Sequence, residues 1–99
     1  MAARFGVLGA PRFERDATKL RKQHPQRFPK ALTQAVKILE IDPTDAHGKY
    51  PKRIKKLTKV SPGDGQYRLR TGRFRFRYDV EDKTVYLLYC GLRREDTYK

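Results

Sequence analysis

The run Arg73-Phe74-Arg75-Phe76-Arg77-Tyr78-Asp79-Val80 alternates polar and apolar residues without a break. Successive side chains on a strand point to opposite faces, so this pattern predicts a β-strand with aromatics on one side and cations on the other. Gln66-Tyr67-Arg68-Leu69-Arg70 alternates in the same way, and Thr71-Gly72 separates the two runs. Read as a two-residue hairpin turn, Thr71-Gly72 sets Arg70 opposite Arg73, Leu69 opposite Phe74, Arg68 opposite Arg75, Tyr67 opposite Phe76 and Gln66 opposite Arg77. Opposite residues share a face. Tyr67, Leu69, Phe74 and Phe76 then form one face, and Arg68, Arg70, Arg73, Arg75 and Arg77 the other.

Like charges directly opposite each other destabilise a sheet by up to about 1 kcal/mol a pair. Mixed Glu and Lys would serve solubility without that cost. Arginine offers a planar fork that grips phosphate through two parallel hydrogen bonds. Three explanations of the face stand: a phosphate-binding surface, a sheet edge kept soluble by charge, and a surface for an anionic protein. Lys52, Arg53, Lys55, Lys56 and Lys59 add a basic run just before the sheet and extend the same footprint.

Upstream, Phe5-Gly6-Val7-Leu8 reads as a first strand. Pro11 suits the first turn of a helix, and Phe13, Ala17 and Leu20 recur at helical spacing until Pro25 stops the helix near Gln23. A second helix is expected over roughly Pro29 to Ile41, with Phe28, Leu32, Ala35, Val36 and Leu39 as its apolar stripe and Asp42-Pro43 as its stop. Residues from Asp42 to Pro51 read as loop, Lys52 to Val60 as a poor strand or irregular lead-in, and Ser61 to Gly65 as a turn cluster. Glu81-Asp82-Lys83 turns the chain. Thr84 to Cys90 is nearly all apolar and reads as a central strand buried on both faces. Gly91 to Lys99 is a short charged tail.

With 99 residues and a formal net charge of +13, the chain is expected to form one small, thin-cored domain with an anionic partner, nucleic acid ranking ahead of an acidic protein and of an anionic membrane surface. The N-terminus is only mildly apolar before Pro11-Arg12, so it reads as neither a signal peptide nor a membrane span, and no membrane partner is expected. Cys90 is the single cysteine, which precludes an internal disulfide and fits the cytoplasm. His24, His47 and Cys90 lack metal-ligand spacing, and Gly63-Asp64-Gly65 lacks the Lys-Ser/Thr of a nucleotide loop, so no metal or cofactor is expected.

The segment from Gly65 to Val80, with Val85 to Leu88 and Gly91-Leu92-Arg93-Arg94-Glu95-Asp96-Thr97-Tyr98, resembles the RelE/ParE superfamily of bacterial toxins. The shared pattern is a Tyr-Arg-hydrophobic-Arg strand, a glycine turn, an aromatic-Arg strand ending in Tyr, an apolar strand and a Gly-x-Arg-Arg…Tyr terminus. The helical hairpin and Leu39 to Pro43 also fit. The resemblance covers nearly the whole chain, is specific from Gly65 onward and is looser before it. It implies an α+β fold, with an N-terminal strand, a helical hairpin and an antiparallel meander forming a single RelE-like domain over 1–99. It further implies the toxin half of a type II toxin–antitoxin pair, with an acidic antitoxin as partner. RelE-like members cut mRNA on the ribosome, whereas ParE-like members poison DNA gyrase, and fold alone does not choose between them. A non-catalytic RNA-binding module is a third reading.

The terminus favours the nuclease. The family's late Arg and C-terminal Tyr match Arg93 and Tyr98, its Arg after the glycine turn matches Arg75, and its two basic residues on the preceding strand match Arg68 and Arg70. The resemblance therefore implies a catalytic set of Arg68, Arg70, Arg75, Arg93 and Tyr98, with Lys52, Lys55, Lys56, Arg73, Arg77 and Arg94 as RNA contacts. Those two strand residues are often Lys in the family. Arginine does not deprotonate, so Arg68 and Arg70 are expected to be phosphate clamps. The base stays open between Tyr98 and a lysine of the Lys52–Lys59 run. Tyr98 stacking on a base is an alternative role. Pairing of Glu95 or Asp96 with Arg93 or Arg94, to orient them, is the role expected of these two acids.

Overall fold

The computed structural model describes residues 4–92. The elements run β1 (Gly6–Gly9), α1 (Pro11–Gln23), α2 (Arg27–Ile41), β2 (Ile54–Lys56), β3 (Tyr67–Thr71), β4 (Phe74–Glu81) and β5 (Thr84–Leu92). The sheet has the order β1-β5-β4-β3-β2. β2 to β5 form an antiparallel meander, and β1 adds in parallel beside β5. The chain thus has the expected α+β fold. Arg93, Arg94 and Tyr98, with Glu95 and Asp96, lie outside the described residues.

Both helices cover one face of the sheet. α1 starts with Pro11, whose missing N–H is not needed in the first turn, and buries Phe13, Ala17 and Leu20. α2 begins at Arg27, two residues ahead of Pro29, because a proline in the first turn breaks no helical hydrogen bond. Phe28 of α2 meets Phe74 edge-on at 5.3 Å and stacks with Phe76 at 6.3 Å. Thr71 Oγ1 donates to the Ala31 carbonyl at 3.1 Å, tying β3 to α2. After α2, the Asp42 carboxylate accepts from the Ala46 and His47 amides at 2.8 and 3.2 Å, which shapes the loop that follows.

Two local readings are corrected, and the open choice between a poor strand and an irregular lead-in is resolved. The β3–β4 turn is Gly72-Arg73, with Thr71 opposite Phe74, not Thr71-Gly72. Gly72 sits at φ +59°, as a primed turn requires of its first central residue, and this places glycine first in the loop. Ile54 to Lys56 is a true edge strand, anchored by Ile54 opposite Leu69. β5 is paired on both edges, but only its helix-side face is buried: Val85, Leu87 and Cys90 lie in the core while Tyr86 is 37% exposed. β4, not β5, is the central strand.

The Tyr78 hydroxyl donates to the Pro43 carbonyl at 2.7 Å inside the core. Burial, aided by Tyr67, Asp42 and Asp45, holds this phenol far above its usual range. Tyr78→Phe leaves the Pro43 carbonyl unpaired and is expected to cost about 1–3 kcal/mol in urea unfolding. The unfolded phenol ionises near 10.0 while the folded one keeps its proton, so this group's contribution to stability is lost as pH rises above that value. The Phe variant should lack that part of the alkaline decline.

Candidate nucleic-acid interface

With Phe74, Phe76 and Tyr78 turned to the helices, β4 presents Arg75, Arg77 and Asp79 on the open face. β3 presents Arg68 and Arg70 there, and β2 adds Lys55 opposite Arg68. The opposed pairs are Arg70 with Arg75 and Arg68 with Arg77, in place of the pairs expected from a Thr71-Gly72 turn. Membership of the face is otherwise as expected except for Arg73, which is exposed in the turn. Arg68, Arg70 and Arg75 are half-buried by their neighbours, and the Nε of Arg70 is fully buried with no hydrogen-bond partner among the described residues.

Arg77 has a different occupation. Its Nε donates to the Gly65 carbonyl at 2.9 Å, and one terminal nitrogen donates to the carbonyls of Gly65 and Asp64 at 2.7 and 3.1 Å. Two residues along the same face, the Asp79 carboxylate accepts from the Gly63 and Gln66 amides at 2.6 and 2.7 Å. The two side chains grip the 61–66 loop by its carbonyls and its amides together. The sequence reading placed Arg77 among the RNA contacts, and the structure adds a hold on this loop that the reading did not include. A signal was present: Asp79 is an acid interrupting a face of arginines.

The remaining predicted residues scatter. Lys56 lies on the helix side of the sheet edge, its Nζ 5.8 Å from the Tyr67 ring, and so is off the arginine face. Lys52 is exposed in the turn before β2. His47 is exposed, and His24 packs edge-on against Phe74 at 5.4 Å, away from the arginines. Cys90 is buried, and burial with Asp16 and Glu14 nearby pushes its thiol up to about 12, which leaves it a poor nucleophile. No group of three His, Cys, Asp or Glu side chains that could hold a metal occurs among the described residues. No helix among them is long and apolar enough to cross a membrane.

Sequence reasoning missed the other half of the open face. Leu8, 57% exposed, with Tyr86, Leu88, Val80 and Pro62, lines an open apolar groove of ≈ 750 Å³ between β1, β5 and the 61–66 loop. Beside it two guanidinium groups lie over the Tyr89 ring, Arg12 at 4.3 Å and Arg77 at 5.2 Å. Leu8 and Tyr86 are partners in the β1–β5 register, and that parallel pairing of distant segments is not written in either segment's own pattern.

The YoeB dimer from Staphylococcus aureus shares this fold, with a TM-score of 0.61 and 22% sequence identity over 92% of this chain and 99% of that one. No protein-family model and no curated protein matches the chain.

The clamp on the loop yields a paired test. Gly65 has φ +86°, and a Cβ there would come within 3.2 Å of Arg77 Cβ and Nε. Gly63 has φ +96° with nothing within 4 Å. Both alanine variants carry backbone strain of about 1–3 kcal/mol. Gly65→Ala should lose more stability in urea than Gly63→Ala, because it alone crowds the Arg77 guanidinium.

Proposed function

We propose that this chain is the toxin of a type II toxin–antitoxin pair, acting in the cytoplasm as a ribosome-dependent, metal-independent endoribonuclease that cuts mRNA. The observation that carries the reading is the cluster of Arg68, Arg70 and Arg75 on adjacent strands of an open sheet face, with Lys55 beside it. Fixed cations of this kind stabilise charge that develops on a phosphate in a transition state. The resemblance of the sequence from Gly65 onward to RelE-like toxins, and the fold shared with the YoeB dimer, support the same reading.

The reaction is attack of the ribose 2′-hydroxyl on the adjacent phosphate. The O–P bond to the next nucleotide breaks, leaving a cyclic phosphate and a 5′-hydroxyl. Arg68, Arg70 and Arg75, permanently charged, hold the non-bridging oxygens as negative charge builds. Arg93 adds a further cation, and Arg94 and Lys52 contact the message outside the reacting atoms. The proton acceptor is drawn from Tyr98 and Lys55, the lysine of the basic run that shares a face with Arg68. The experiment is to induce the protein, map 5′ ends on translated mRNA and run a gyrase supercoiling assay alongside. Cuts in ribosome-bound messages are expected. Intact mRNA with early arrest of DNA synthesis would replace the nuclease with a gyrase inhibitor.

Individual residues should rank. Arg75→Ala and Arg93→Ala are each expected to abolish toxicity, since loss of one preorganised donor costs about 3–4 kcal/mol in the transition state. Arg73→Ala should weaken it less, because Arg73 sits in the turn and not on the face. Growth of cells induced for each variant, with circular dichroism to check folding, reads this order.

The antitoxin is an acidic protein. Its carboxylates answer part of the arginine face or the Lys52–Lys59 run, and its apolar side chains have the groove at Leu8, Tyr86 and Leu88 as an anchor. Exposed ion pairs are worth about 1 kcal/mol or less, so anchors set the lifetime while charge sets the encounter. Stopped-flow measurements should show an association rate that falls steeply with salt and a dissociation rate that barely changes.

A further inference from the structure

The β3–β4 turn carries Arg73 to the first turns of α2. There Arg27, Lys30 and Arg73 line a cleft of ≈ 290 Å³ over Ala31 and Phe74, and no carboxylate lines it. Between Asp16 and Glu40 the sequence has no acid but includes Lys19, Arg21, Lys22, Arg27, Lys30 and Lys37. The first turn of α2 has no acidic residue, and its N-cap makes no side-chain hydrogen bond. Cations at this end oppose the helix dipole, and two of them three residues apart repel. The arrangement weakens the free protein and becomes favourable once a polyanion lies in the cleft.

Two features choose the polyanion. Ala31 and Phe74 are 8% and 1% exposed, so the cleft offers no apolar anchor of the kind a protein partner needs. It also offers no exposed aromatic ring on which an unpaired base could stack. What remains is three cations around a concave floor, which fits a phosphodiester backbone read by shape and charge. The Arg70–Arg75 pair lies one step behind the turn, so the positive surface continues from this cleft onto the open face.

We propose that the cleft between the α2 N-terminus and the β3–β4 turn is a second RNA contact, which grips the backbone of structured RNA apart from the face that takes the scissile phosphate. It rests on the RNA-directed reading above. The test compares binding of the full chain to an RNA hairpin with a stem of about 16 base pairs and to a tetranucleotide, across a salt series. The double variant Arg27→Ala/Lys30→Ala should bind the hairpin roughly tenfold more weakly and lower the slope of log affinity against log salt by about 1.5, while binding the tetranucleotide as before. Both side chains are exposed, so the fold should hold. Arg27→Glu/Lys30→Glu should raise the melting midpoint by about 2–6 °C, because acids suit this helix end, yet lose the hairpin. An unchanged slope, an equal loss for the tetranucleotide, or a loss confined to an acidic protein partner would overturn the cleft. Wild-type protein that binds the hairpin through Arg27 and Lys30 but leaves translated mRNA intact would instead remove the nuclease and keep the cleft.

Discussion

Side chains alternate along β4, and this one constraint builds both the core and the charged face. Burying Phe74 and Phe76 against Phe28 of α2, and Tyr78 against Pro43 and Tyr67, sends Arg75, Arg77 and Asp79 to the other side. Each fully buried aromatic contributes roughly 1.5–3 kcal/mol. Each opposed pair of arginines costs about 1 kcal/mol or less. Burial wins, so the strand tolerates a row of like charges that it could not carry if its inner face were polar.

Period-two alternation also decides what is legible in the sequence. A two-residue hairpin moved by one position changes every partner but leaves every strand residue on its own face, because partners shift in steps of two. Arg68, Arg70 and Arg75 are therefore legible even with the turn misplaced, and Arg73 is the residue that the misplacement loses. The helix ends are legible because Pro25 and Asp42-Pro43 act locally. The β1–β5 pairing and the groove it forms are not, because they arise from contact between segments far apart in the chain.

The arginines of β3 and β4 look alike in sequence and differ in situation. Arg77 is held by the carbonyls of Asp64 and Gly65, whereas Arg70 has a buried nitrogen without a partner among the described residues. Pattern reveals which side of the sheet a guanidinium occupies. The path of the 61–66 loop, bent over the sheet by positive φ at Gly63 and Gly65, is what brings the carbonyls of Asp64 and Gly65 onto Arg77.

In the register between β4 and β5, Arg77 faces Tyr89 and Tyr78 faces Leu87, so Leu88 has no partner on β4. This one unpaired residue resets the alternation. Val85 and Leu87 point to the core before it and Cys90 after it, which is why the segment reads as unbroken apolar sequence. β5 therefore runs in two phases joined at Leu88. Its first half sets the apolar groove, and its second half presents Tyr89 to the guanidinium groups of Arg12 and Arg77. Had Leu88 been paired in ordinary register, Tyr89 would turn toward the helices and Cys90 toward solvent. A chain shortened by Leu88 alone would keep every other facing and lose only the extra local twist and one wall of the groove. Leu88 is thus an insertion that the sheet absorbs in place, and it is the position where β5 can change length without inverting itself.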